Sequence, residues 1–499
     1  MRNTIVEPRG RMALLYRGGP VLLALMSVLD AGCDFFLGHD LNEKFCRANT
    51  GDPQCRQAYP DAAPDVPDAP PTCTASSECA PPTGVCDLAG SRLCVACTLA
   101  ENPCSGATPA CVSNQCAKCT EHAQCSTSNV CLPDGTCADP ALDQVAYVRA
   151  GETGKMCTQA APCGTLDDAL KINKLYVKME SGTVADNKIT SIDGKTVTIF
   201  AEHDASLGRT GPGVILEIRN NADVTIYDLK ITGATGAVTD PAISILNGGA
   251  PKLSLTRVTV DGNQGVGISA TAGTLTISQT TVSDNTGGGI SASGGTLMVS
   301  QSTISLNAGG GISTTGGTLS VSRSNITANP KGGISVGAGG ASFDITNNFI
   351  TYNGTAGGLG ASQVGGASLL PNTAGSRFER NTVALNQSDG SIFSGGVTCT
   401  GLMVSALGNI AYGNIEGAST TDLTQLRGAC HFGNTLARGA IAGDLGFKSP
   451  RAGTFDFHLT PASPALVVDA AGACTGLDFD GDTRPSGAAC DLGADELTP

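Results

Sequence analysis

Gly267 to Asn285 reads GISATAGTLTISQTTVSDN, Gly289 to Asn307 reads GISASGGTLMVSQSTISLN, Gly311 to Asn329 reads GISTTGGTLSVSRSNITAN, and Gly333 to Asn353 reads GISVGAGGASFDITNNFITYN. The starting glycines are 22 residues apart, so one unit is written four times. Ile268, Ile290, Ile312 and Ile334 align, as do Leu275, Leu297 and Leu319, then Ile277, Val299 and Val321, then Val282, Ile304 and Ile326. Runs such as Thr274-Leu275-Thr276-Ile277 alternate with the two-residue period of half-buried strands, and Gly pairs punctuate them. A unit this short holds two or three strands of roughly 5 residues, and stacking of units must bury the rest.

The same spacing carries Asn263, Asn285, Asn307 and Asn329, continued at wider intervals by Asn353, Asn386 and Asn414. Asparagine tolerates the left-handed corner conformation, and its amide offers both donor and acceptor, so stacked copies are expected to bond along the coil axis as a structural ladder. Coils with insertions flank this block. Val224, Ile226, Leu229 and Ile231 echo Leu253, Leu255, Val258 and Val260 at a spacing of 29, and Phe378, Val383 and Asn386 resume the pattern later. Loops are expected around residues 202–213, 232–241 and 354–376. Over residues 190–440 these motifs resemble the pectate-lyase-like right-handed parallel β-helix family. The resemblance implies an all-β, single-stranded right-handed parallel β-helix and, by itself, no activity.

Composition agrees with thin coils and narrows the function classes. The 499 residues include 66 Gly, 13 Phe, 7 Tyr and no Trp, with 15% charged residues and a net charge of −14. That charge argues against a nucleic-acid partner, whose phosphates call for a basic surface. The 21 cysteines point instead to an oxidising compartment.

The amino-terminal stretch fits export. Arg2, Arg9, Arg11 and Arg17 precede an apolar run from Val21 to Leu29 and then Asp30-Ala31-Gly32-Cys33, with translation starting at Met1 or Met12. The Ala-Gly-Cys ending resembles a bacterial lipobox, although Asp30 stands where that pattern prefers Leu, and it implies lipidation of Cys33 and membrane attachment. The expected order is a signal segment at 1–32, an anchor and Pro/Asp-rich linker at 33–72 and a Cys-rich module at 73–137. An N-terminal cap follows at 138–189, then the β-helix at 190–445 and a C-terminal cap at 446–499. Residues 59–71, YPDAAPDVPDAPP, read as a disordered, extended stalk.

Between Cys73 and Cys137 twelve cysteines recur in three similar units of four. The junctions Cys94-Val95-Ala96-Cys97 and Cys116-Ala117-Lys118-Cys119 also have the spacing of zinc or redox pairs. Export and the paucity of apolar residues favour disulfides whose connectivity spacing does not assign. Cys46, Cys55, Cys157, Cys163, Cys399, Cys430, Cys474 and Cys490 are further disulfide candidates. Thr165 and Asp168 approximate a capping box that opens a short cap helix. FDFHLTPASPALVVDAA from Phe455 and LDFDGDTRPSGAACDLGADEL from Leu477 resemble the bacterial choice-of-anchor Q segment, which implies a β-helix association and no catalytic residue.

Two chemistries are weighed. Lyase action needs Ca²⁺-binding acids and a basic residue on one outward face, yet Asp261 aligns with Ser283 and Asp284 with Leu306, so no carboxylates stack. The column Arg257, Gln279, Gln301 and Arg323 reads as a solvated row without acidic partners, and His203, His431 and His458 as isolated. Asp478, Asp480 and Asp482 around Gly481 form a candidate Ca²⁺ loop, with an Arg484-locked cap as the alternative. The sequence thus favours a surface-anchored envelope protein with a structural, adhesive or glycan-binding role. A polysaccharide lyase or hydrolase is the alternative, and ice binding by columns such as Thr274, Thr296 and Thr318 is a minor third.

Overall fold

A computed structural model of the chain describes residues 72–498, apart from 83, 140–141, 143, 338, 340, 356–363, 371–374, 390–392, 401–403, 418–424, 429, 439–444, 465–466 and 473. Cys33, Cys46, Cys55 and the proline-rich stalk lie outside the described residues. The chain divides into two compact units at Ala117–Lys118.

Each four-cysteine repeat bonds its first cysteine to its third and its second to its fourth. The pairs are Cys73–Cys86 and Cys79–Cys94, Cys97–Cys111 and Cys104–Cys116, then Cys119–Cys131 and Cys125–Cys137. The junction cysteines therefore bond into their own repeats, which removes the zinc and redox readings. Closing loops of this length contributes about 3 kcal/mol each, in place of a core that so few apolar residues cannot build. The third repeat parts company with the other two and belongs to the same compact unit as the coil.

That second unit is a parallel β-solenoid. Three sheets of ten, eleven and ten strands run its length. In chain order around one turn, Thr274–Ser278 lies in sheet I, Thr281–Ser283 in sheet II and Gly288–Ala292 in sheet III. Each residue pairs with its counterpart one coil on, so Leu275 meets Leu297 and Ile277 meets Val299. Alternation sends Leu253, Leu255, Leu275, Ile277, Leu297 and Val299 inward, all at most 1% exposed. The solenoid starts earlier than the repeat reading places it: Val145–Val148 is already a strand of sheet I, and Ala205–Arg209, expected as loop, is a strand of sheet II. The cap helix Leu166–Lys171 is opened by Thr165, whose side chain accepts the Asp168 N–H. Leu166, Ala169 and Leu170 complete the main core at this end, beside the Cys157–Cys163 disulfide.

The corners explain the repeat more closely. Asn285, Asn307, Asn329, Asn353 and Asn386 are fully buried, and each amide nitrogen donates to the Oδ1 of the next asparagine at 2.9–3.1 Å. Asn263 begins this stack and Asn414 closes it on Gln425 Oε1 at 2.8 Å. The left-handed backbone, however, belongs to the residue before each asparagine: Gly262, Asp284, Leu306, Ala328, Tyr352, Leu385 and Gly413 have φ of 55–64°. The corner residue turns the chain with its side chain outward, and the asparagine then enters the interior. A Cβ at Gly289 would meet Asn307 Nδ2 at 2.9 Å and Gly311 O at 2.6 Å, so the glycine opening each repeat makes room for the amide.

A second ladder runs along the corner between sheets I and II. There Arg257, Gln279, Gln301 and Arg323 hold the left-handed position with φ of 48–55°. The residues that follow Gln279 and its counterparts in later coils, Thr280, Ser302, Ser324, Asn348, Asn381 and Asn409, face inward. Each side-chain oxygen accepts the backbone N–H of its counterpart one coil earlier, as from Ser302 N to Ser324 Oγ at 3.2 Å and Asn348 N to Asn381 Oδ1 at 3.0 Å. Corner N–H groups that no strand partner reaches are satisfied in this way.

The C-terminal segment packs against the side of the coil. Its apolar residues Leu445, Phe447, Phe457, Leu459, Val467 and Leu492 pack with Phe349, Ala384 and Ile410, on the outer face of sheet II. Two backbone N–H groups fasten it sideways, Gly493 N to Gly408 O at 2.8 Å and Ala494 N to the side-chain Thr382 Oγ1 at 3.1 Å. Cys474–Cys490 closes the segment on itself, and Cys399–Cys430 staples late coils.

Candidate functional site

In sheet I the outward position next to the corner is Ser278, Ser300 or Ser322 in the repeats, but Phe200 and Tyr227 in earlier coils. Those two rings stack at 5.3 Å with 9° between planes, and His122 of the third cysteine repeat meets Phe200 edge-on at 5.4 Å. Val130, Ala138, Val145 and Tyr147 complete a small apolar cluster around Phe200. Two polar contacts fix the register: Tyr147 donates its hydroxyl to Ser128 O at 2.6 Å, and Asn129 donates its amide to Glu202 Oε1 at 2.8 Å. A disulfide-stapled unit too small for its own core thus borrows one from the outside of the coil.

Between the seated repeat and the sheet I–II corner an open cleft of about 1200 Å³ remains, with His122, Glu202, His203, Tyr227, Lys230 and Arg257 along it. Arg257 donates two bonds to Asp228, at 2.7 and 2.8 Å, and its guanidinium carbon stands 5.7 Å from the Tyr227 ring centre. Lys230 pairs with Asp261 at 2.8 Å. The sequence reading of Arg257 as a solvated cation without an acidic partner is corrected: its partner stands one coil earlier, 29 residues away, outside the 22-residue register.

Behind the cleft wall Lys178 is fully buried, 3.6 Å from Glu202. Burial lowers its ammonium to about 8, against the pull of Glu202. Burial, reinforced by Lys178, lowers His122 to about 4, so its imidazole is neutral at pH 7. Burial would raise Glu202, but Lys178, Asn129 and Ser181 outweigh it and hold the carboxylate below its ordinary range. Glu202 is therefore a poor proton donor, whereas a glycosidase acid needs a raised pKa. Asp228 and Asp261 are occupied by Arg257 and Lys230. The charged groups around the Tyr227 ring are thus held in pairs.

The other sequence candidates separate. Asp478 is fully buried and accepts the N–H groups of Gly481, Asp482 and Glu496 at 2.8, 2.7 and 3.0 Å, which uses both oxygens to staple the loop. Asp480 turns toward His458 instead, so Asp478, Asp480 and Asp482 do not form a joint Ca²⁺ site. Arg484, buried, takes Glu496 at 2.9 Å and the carbonyls of Asp491 and Gly493, not the acids of that loop. His203 is exposed beside Asp204. Sequence reasoning missed His122 and the Phe200–Tyr227 pair. The signal was two aromatics in one outward column of an aromatic-poor chain.

A family model described as right handed beta helix region matches residues 173–318 and 241–404. Among solved structures, the crystal structure of pectate lyase Pel9A matches with 13% identity and a TM-score of 0.41, over 71% of this chain and 96% of that one. No curated protein sequence matches. With its three parallel sheets of ten or eleven strands, the second unit has the architecture of a right-handed parallel β-helix.

Proposed function

We propose that the chain is an exported envelope protein, anchored through Cys33, whose coil and seated cysteine repeat hold a glycan in the cleft beside Tyr227. The carrying observation is the partly exposed Tyr227 ring, backed by Phe200 and flanked by the Arg257–Asp228 pair. Aromatic rings take the C–H faces of sugars, and ion-paired side chains give hydroxyls donors and acceptors already fixed in place. The alternative, a polysaccharide lyase or hydrolase on the same fold, calls for an acid or base free to exchange a proton. Glu202 and Asp228 are each engaged by a cation.

A glycan array run beside an assay for release of unsaturated uronides and reducing ends tests the reading. Binding without turnover, weakened at least about tenfold by Tyr227→Ala in a chain that still melts cooperatively, is the expected outcome. Product release by the wild-type chain, abolished by Glu202→Gln, would replace it with the enzyme reading.

A further inference from the structure

Where the C-terminal segment lies against sheet II, a histidine and several carboxylates meet that the cleft does not use. His458 Nδ1 contacts Asp456 Oδ1 at 2.5 Å, and its ring is held edge-on between Phe349 at 5.1 Å and Phe479 at 5.6 Å. Two aromatic rings, together with Asp456, therefore set the ring's direction. Its other nitrogen, Nε2, is shut off from solvent and makes no hydrogen bond. Asp480 Oδ2 lies 3.1 Å from it, within ion-pair distance of the ring. Asp495, only 6% exposed, brings a third ligand atom, and one atom each from His458, Asp480 and Asp495 lies within 4.8 Å of the others. Asp495 is held by the Leu459 N–H on Oδ2 at 2.6 Å. A recess of about 350 Å³ opens in front, with Asp482 and Lys448 on its wall.

We propose that His458, Asp480 and Asp495 form a binding site for a zinc-class divalent cation, independent of the cleft and of its glycan reading. An imidazole nitrogen with its far side fixed by a carboxylate is the usual posture of a metal-bound histidine, since the second bond sets the tautomer that leaves Nε2 as a lone pair. One nitrogen and two carboxylate oxygens suit zinc or manganese better than Ca²⁺, which gathers six to eight oxygens. Zinc bonds of about 2.0–2.2 Å place ligand atoms roughly 3.5 Å apart, so small side-chain shifts close the site, with water from the recess completing it. The cation would fasten residues 455–498 into one body by linking three strand-poor loops.

Titrating the oxidised full chain with ZnCl₂ in a calorimeter should show one site per chain of micromolar or tighter affinity, with Ca²⁺ at least about tenfold weaker. Co²⁺ in place of zinc should give the visible absorption of a nitrogen- and oxygen-ligated ion. Asp480→Asn, at a half-exposed position that does not endanger folding, and His458→Gln should each lose at least about tenfold in affinity. His203→Gln should lose nothing. Absence of zinc binding at about 100 µM, or binding that survives both Asp480→Asn and His458→Gln, would overturn the site.

Discussion

Thr281, Thr303 and Asn325 occupy one outward column of sheet II, and the next residue in that column is Phe349. The inward neighbours change far less across the same step: Val282, Ile304, Ile326 and Ile350, all fully buried. The bare middle coils and the coils that carry docked loops therefore share one interior and differ outside. Inside, a coil repeats because the coils above and below repeat. Outside, hydroxyl-bearing residues leave a coil solvated, while Phe200, Tyr227 and Phe349 seat a cysteine repeat at one end and the C-terminal segment at the other. Chemistry collects at those seats, because a second layer there shelters groups that a bare sheet leaves in water.

If this contrast is right, the largest loss should come from a seat. Phe349 is 1% exposed and touches Phe457, His458 and Phe479. Phe349→Ala should cost about 3–5 kcal/mol, spent on releasing the C-terminal segment and not on melting the coil. Limited proteolysis should then cut within residues 445–498 and leave the earlier coils intact. Cooperative loss of the whole solenoid would mean that the segment is part of one folding unit and the comparison is drawn in the wrong place.

Next comes the interior. Asn307 accepts from Asn285 N and Nδ2 and donates to Asn329 Oδ1 and Val282 O, all at 2.9–3.1 Å. Asn307→Leu should cost about 2–4 kcal/mol, because it orphans buried polar atoms on both neighbouring coils. Thermal melts of the mature protein measure it.

The seat at the other end contains a penalty that can be removed. Lys178 is faced by Glu202, Glu180 and Asp228 and, from the docked repeat, by His122. Its folded pKa of about 8 lies below the ordinary 10.5, so the unfolded chain holds that proton more tightly. The penalty is complete below pH 8 and fades as pH rises from about 8 to 10.5. Lys178→Met should stabilise the protein at pH 7 by on the order of 2 kcal/mol, less than the full pKa shift because Glu202 loses a partner. The gap between variant and wild type should shrink by pH 10. A destabilised variant at pH 7 would show that attraction to Glu202 outweighs burial.

How much of this was legible follows the same division. The solenoid and the asparagine ladder could be read because interior positions admit few residue types, so Leu275 and Asn285 recur unchanged at 22 residues. The second ladder escaped because it keeps an accepting oxygen and not a residue: threonine, then serine, then asparagine serve in turn. The left-handed corner escaped for the opposite reason. Side chains there point to solvent, so Asp284, Leu306 and Ala328 are all accepted, and the reading assigned their conformation to the adjacent asparagine. The cleft rests on contacts such as Asn129 with Glu202, 73 residues apart, which no repeat announces.

The smallest expected effect is the sharpest check on which side of the coil is which. Thr296 lies between Thr274 and Thr318 in sheet I, facing outward and partly exposed, on the same coil as the fully buried Asn307. Thr296→Ala keeps every backbone bond of the strand and removes only a β-branched side chain between two like neighbours, a change of at most about 0.5 kcal/mol. Its melting temperature should therefore stay close to wild type while that of Asn307→Leu falls by several degrees. Equal shifts would mean that the threonine column, through side-chain contacts along the coil axis, holds the stack as strongly as the buried amides do. The outer face of the middle coils would then be a structural element in its own right and not the solvated surface described above.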